Sequence, residues 1–294
     1  MTTKITAQGM EALKKQAFDN PEAVLVLADV LQSQGDPRGE FLALNYYLEH
    51  TDVTPQQRID YSHHRKKVYQ QFFRIESLDN RFRLQNVFYN GWFYTVDQST
   101  KLLDDGDSHT QDRWLEWLNS DENVNKWQLP SGPLYHASVA ALHYNQDIHD
   151  KKQRNLVQQC RAMHVEDFKK YWMMTSTRIQ YNPQGLDTII DDYGSSQPRE
   201  IKMNFVGPDK YVRKDSGLEQ EIDALLGTSD LEEVEQVYNG LTDKNPYLWR
   251  LNDKPNEETH RAFVLGGGIG GNFIVSAVGS GRPSRGWSVK SKQA

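Results

Sequence analysis

Near its start the chain three times sets a capping side chain directly before a proline: Asn20-Pro21, Asp36-Pro37 and Thr54-Pro55. Each pair works in two directions. The side-chain oxygen of Asn, Asp or Thr can accept from an amide that the first turn of a helix leaves free. Proline fits the first helical position, where no N–H is needed, but cannot continue a preceding helix. Thr54-Pro55-Gln56-Gln57 adds a reciprocal capping box. Between the pairs, apolar residues recur at helical spacing: Met10, Leu13 and Ala17, then Val24, Leu27, Ala28 and Leu31, then Phe41, Leu44 and Leu48. Gly35 permits the left-handed turn that ends the second helix. The expectation for residues 1–78 is a module of about four helices, the last running to about Ile75, packed as a bundle in its own right.

The texture then changes. Phe82 to Val96 is rich in aromatic and β-branched residues around Asn90-Gly91, a dipeptide favoured in two-residue hairpin turns. Residues 79–107 therefore read as a hairpin followed by the linker Asp104-Asp105-Gly106-Asp107. From 108 to 294 helical and strand patterns alternate. Ser108 opens a short helix with Trp114 inward, Leu134–Tyr144 forms a second, and Leu156, Cys160 and Met163 mark a third. Trp172–Tyr181 and the alternating Glu200–Phe205 read as strands. Ser216…Glu219 and Ser229…Glu232 read as capping boxes of helices that stop at Gly227 and Gly240. Three strand-like runs follow: Tyr247–Leu251, Arg261–Leu265 and Asn272–Val278. The fold class expected is α+β, a helical module followed by a mixed α+β domain.

Composition excludes several classes. The 294 residues are 37% apolar and carry 34 basic against 40 acidic side chains, a net charge of −6. That is material for a core, and it speaks against a broad nucleic-acid surface. The longest apolar stretch, Ala23–Leu31, is interrupted by Asp29 and falls short of the roughly 20 residues that span a bilayer. Met1-Thr2-Thr3-Lys4 is not a secretory core. A single cysteine, Cys160, rules out an internal disulfide and fits a reducing compartment. The expectation is a soluble cytoplasmic protein with no membrane contact.

Two resemblances follow from residue order. Ala28-Asp29 with Gly35-Asp36-Pro37-Arg38, inside about 10–77, resembles the bacterial repeat-companion domain, a helical module that accompanies repeat arrays. Val30 stands where that family commonly has tryptophan, and no repeat array follows. The resemblance implies a helical fold and a docking task, and no reaction. Trp172–Arg178, Leu186–Ile190, Asn204–Pro208 and Tyr247–Asn252 resemble a group of uncharacterised archaeal proteins, again without a function attached.

The chemical signals are weak singly. Gly266-Gly267-Gly268-Ile269-Gly270-Gly271 satisfies a dinucleotide fingerprint but precedes a strand-like run rather than a helix, so it reads as a turn. His136, His143 and Asp147 read as a solvated helix face rather than metal ligands, and His63-His64 likewise. Asp191-Asp192 reads as a solubilising helix end, and Cys160 as an inert buried thiol. No cofactor and no metal is expected. The leading reading is a non-enzymatic interaction or regulatory protein whose partner is another protein. Asp29 and Arg38, with a salt bridge between them as the bland reading, and Trp249 and Arg250 are its candidate contacts. An enzyme with a cleft in the C-terminal domain, using Arg178 and His136, is the alternative. A nucleic-acid binder acting through Arg282, Arg285, Lys290, Lys292 and Trp287 is a third.

Overall fold

The computed structural model of the chain describes residues 7–266, 273–275 and 282–290. The first elements are α1 (Ala7–Asp19), α2 (Pro21–Ser33), α3 (Pro37–His50), α4 (Pro55–Phe72), β1 (Arg74–Leu78), β2 (Arg81–Tyr89) and β3 (Trp92–Leu102). Then follow α5 (Gln111–Leu118), α6 (Gly132–Tyr144), α7 (Lys151–Lys170), β4 (Trp172–Tyr181), β5 (Asp187–Asp191), β6 (Arg199–Met203) and β7 (Lys210–Tyr211). The last are α8 (Glu219–Leu226), α9 (Leu231–Thr242), β8 (Pro246–Leu248), β9 (Thr259–Gly266), β10 (Phe273–Val275) and β11 (Arg285–Lys290). The fold is α+β, helices first. Among the described residues no helix is long and apolar enough to cross a membrane.

The cap-and-proline pairs form. Asn20 accepts from the Glu22 amide, Asp36 from Arg38, and Thr54 from Gln57, whose side chain returns the bond. Leu27, Ala28, Leu31, Phe41, Leu44 and Leu48 are all buried. The crossing of α2 and α3 is tight because Gly39 has no side chain: a Cβ there would collide with the Ala28 carbonyl and the Leu31 Cβ.

Several boundaries differ from expectation. α4 stops at Phe72, three residues before the expected end, because Ile75 pairs with Leu84 in a strand and is wholly buried there. Asn90 and Gly91 turn the hairpin with φ of 47° and 72°, as a primed turn requires. That hairpin is no connector: it is the middle of a four-stranded sheet ordered β1-β2-β3-β11, closed by a strand from the far end of the chain. α5 is capped by Thr110, not Ser108. Leu218 occupies the α8 cap position, where its buried side chain fixes the register, and the Ser216 hydroxyl donates instead to the Arg213 carbonyl. Asp230 caps α9 in place of Ser229, bringing a carboxylate to the positive end of the helix. α9 also passes Gly240 and ends at left-handed Asp243.

The second sheet, β6-β5-β4-β9, is antiparallel throughout. Asp191 ends its strand β5 and is not at a helix end. A third, small sheet runs β10-β8-β7, with β10 parallel to β8. One apolar cluster joins Leu27 and Phe41 of the helices, Ile75 and Leu84 of the first sheet, and Leu142, Val157, Leu225 and Val234 of the later helices. The helical module thus shares its core with the rest and is not walled off as a separate bundle. The glycine run beyond Gly266, Lys292 and the N-terminal Met1–Lys4 lie outside the described residues.

Candidate functional site

A cleft of about 240 Å³ opens where α3 and α4 meet the hairpin tip and α6, α8 and α9. Helical spacing decides what faces it. α3 sets Phe41, Asn45 and Glu49 one turn apart on one face. α4 turns inward the stripe Arg65, Val68 and Tyr69, all three buried. α6 is buried along most of its length, which leaves His136, Ala140 and Tyr144 in one row towards the cleft. α9 begins with the cap Asp230 and carries Glu233 in its first turn.

Arg65 is the hub. It is 3% exposed, and its Nη1 donates to Asn45 Oδ1 at 2.7 Å. Its Nη2 donates to Tyr144 Oη at 2.7 Å and to Glu233 Oε2 at 2.6 Å. Asp230 Oδ2 lies 3.8 Å from the same nitrogen. Burial works against the Arg65 charge, but Tyr144, Glu233, Asp230 and Glu49 more than offset it. Burial likewise favours a neutral Glu233, yet Arg65 first, then His136 and Tyr144, outweigh it and hold the carboxyl at about 2.

Glu49 lies in the opposite condition. Burial, seconded by repulsion from Glu233 and Asp230, pushes its carboxyl up to about 7 against the pull of Arg65 and the Asn45 hydrogen bond. Its side chain still keeps 23% accessibility and lines the cleft. His136 is 3% exposed, and neither ring nitrogen has a hydrogen-bond partner. Its Nε2 stands 3.5 Å from Glu233 Oε1 without a hydrogen bond's alignment. Two carboxyls thus line one cleft in opposite conditions, Glu233 held ionised and Glu49 pushed towards its protonated form. The cleft has no thiol nucleophile: Cys160 is fully buried in the core, and burial pushes its thiol well up. Among the described residues no three His, Cys, Asp or Glu side chains are placed to share a metal ion.

The residues singled out from sequence fall differently. Asp29 is exposed, and Arg38 does not bridge to it; its guanidinium grips Asp36, the cap of its own helix, at 2.5 Å. Arg250 is 8% exposed: Nη1 donates to Glu221 at 2.6 Å and to the Phe205 carbonyl at 3.3 Å, bracing that loop against α8. Trp249 is 48% exposed. Arg178 is held by Gln111 and Asp112 and stacks on Tyr193 at 3.5 Å, outside the cleft. His136, expected on a solvated face, is instead a wall of the cleft, because α9 covers its side of α6. The basic-tail reading loses two members: Trp287 is 1% exposed, and Arg285 is 7% exposed and clamped on Asp167.

Sequence reasoning passed over Glu49, Arg65, Tyr144 and Glu233. One signal was present: Arg65 shares a helical row with Val68, Tyr69 and Phe72, where a charge needs a buried partner. The ionisable cluster also sits at the seam of the two regions, not within the C-terminal one. No family model, curated protein or solved structure matches the chain.

Proposed function

We propose that the protein is an acid–base enzyme that binds a small polar molecule in the seam cleft and exchanges a proton with it. Glu49 carries the proton, and the Arg65–Glu233 pair is the fixed frame that keeps the second carboxylate ionised. The observation behind this reading is the convergence of Glu49, Arg65, His136 and Glu233, from α3, α4, α6 and α9, on one cleft. The test is a fragment screen followed by NMR mapping on the full chain. Bound fragments are expected to shift the Glu49 and His136 signals and to weaken on Glu49→Gln. Fragments that map only to other surfaces overturn the reading.

The interaction reading rests on one feature. Exposed Trp249 follows the strand of Tyr247, whose ring meets Tyr211 edge-on at 4.9 Å, and such aromatics are common binding anchors. If Trp249→Ala leaves capture of a partner protein unchanged, that reading is lost.

A further inference from the structure

The charge and lining of the seam cleft also discriminate among ligands, granted that it is a ligand site. Of the acids around Arg65, Glu49 and Glu233 line the cleft, while Asp230 lies outside its lining and is shared with Arg58 at 3.8 Å. Both Nη atoms of Arg65 are taken by Asn45, Tyr144 and Glu233, and its Nε is covered from solvent. An anion entering the cleft therefore meets the Glu49 and Glu233 carboxyls and an arginine whose Nη atoms are already engaged by its neighbours. A cation meets the reverse. Glu49 presents an accessible carboxyl on the cleft wall, with His50 beside it. Phe41 and Phe88, packed edge to face with centroids 5.1 Å apart, and the Tyr46 and Tyr89 rings supply aromatic wall. Aromatic faces attract cations, and more so where water is excluded. The volume lies below the roughly 300–1,000 Å³ usual for drug-sized ligands, which limits the occupant to a compact molecule.

We propose that the seam cleft takes a small organic ammonium ion, with its nitrogen against Glu49 and its apolar body against Phe41 and Phe88. The experiment is isothermal titration of the full chain at pH 8 with three probes of similar shape: phenethylammonium chloride, 3-phenylpropanol and sodium 3-phenylpropionate. The ammonium probe is expected to bind at least tenfold tighter than either of the others. In Glu49→Gln, which keeps the shape of the protonated acid, its affinity is expected to fall to that of the alcohol. Equal affinity for the alcohol, or tighter binding of the propionate, overturns the cation class while leaving a small-molecule cleft standing. A charge preference that survives in Glu49→Gln overturns the part given to Glu49. The comparison of the three probes on the wild-type chain does not depend on the variant. If none of the three binds at millimolar concentration, the ammonium proposal falls, and the fragment screen then decides separately whether the cleft binds anything.

Discussion

Glu49 is the residue whose environment makes the sharpest demand on the protein. Arg65 faces it from α4, Glu233 and Asp230 from α9, Asn45 from its own helix, and His50 Nε2 stands 3.7 Å away. Its folded-state value of about 7 lies above the ordinary 4.5, so folding favours the protonated form. The stability this contributes is complete below about pH 4.5 and is lost as pH rises through about 7. Wild type should therefore lose up to about 3 kcal/mol relative to Glu49→Gln across that interval. Urea unfolding of both proteins at pH 4.5 and pH 8 measures it. Asp191, also pushed up to about 7 by burial, is common to both proteins and cancels in the difference. A difference that does not change with pH would mean that Glu49 is ionised like any surface acid. Arg65 makes the complementary demand. Arg65→Ala strands Glu233 in the interior and should cost about 3–5 kcal/mol in urea unfolding. Arg58→Ala, which removes a quarter-exposed partner 3.8 Å from Asp230, should cost less than about 1 kcal/mol.

At the scale of elements, the close crossing of α2 and α3 carries its own prediction. Gly39→Ala must push the helices apart against backbone at Ala28, and about 1–3 kcal/mol of destabilisation is expected in thermal or urea unfolding. A neutral effect would mean that the pair can slide at little cost. These helices are also the part most legible in the sequence, for a physical reason: a cap and a proline act on amides within one turn, so Asn20, Asp36 and Thr54 need no distant partner. The hairpin at Asn90-Gly91 is local in the same way. Ile75 was misread because its helical spacing holds until its strand partner Leu84 is considered. Ser229 was misread because a stronger cap, Asp230, follows it immediately. The cleft was illegible for a different reason. Nothing near His136 announces that α9 will cover it, and nothing near Glu49 announces Arg65. Ionisable residues from four helices acquire their chemistry only when those helices meet.

The whole molecule is tied end to end, and that has a measurable consequence. β11 pairs with β3, so the last described strand closes the sheet begun by β1 directly after the helical module. On β11, Arg285 holds buried Asp167 of α7 through two hydrogen bonds, of 2.5 and 2.7 Å. One apolar cluster then runs from α2 to α9. A chain connected in this way should unfold in one step, although its length would allow two. All seven tryptophans lie beyond the four N-terminal helices in sequence, and since Trp92 packs under Lys14 of α1 at 4.9 Å, the test is read in a Trp92→Phe background. Fluorescence therefore follows the later region, and hydrogen exchange of the α2 and α3 amides follows the earlier one. Both should report the same midpoint in urea. Arg285→Ala, which leaves the Asp167 carboxyl buried without its partner, should lower both midpoints together, for a loss of about 3 kcal/mol of stability. If the variant weakens the tryptophan transition and leaves exchange in α2 and α3 untouched, the helices hold themselves up, and the seam is a contact between two independent bodies.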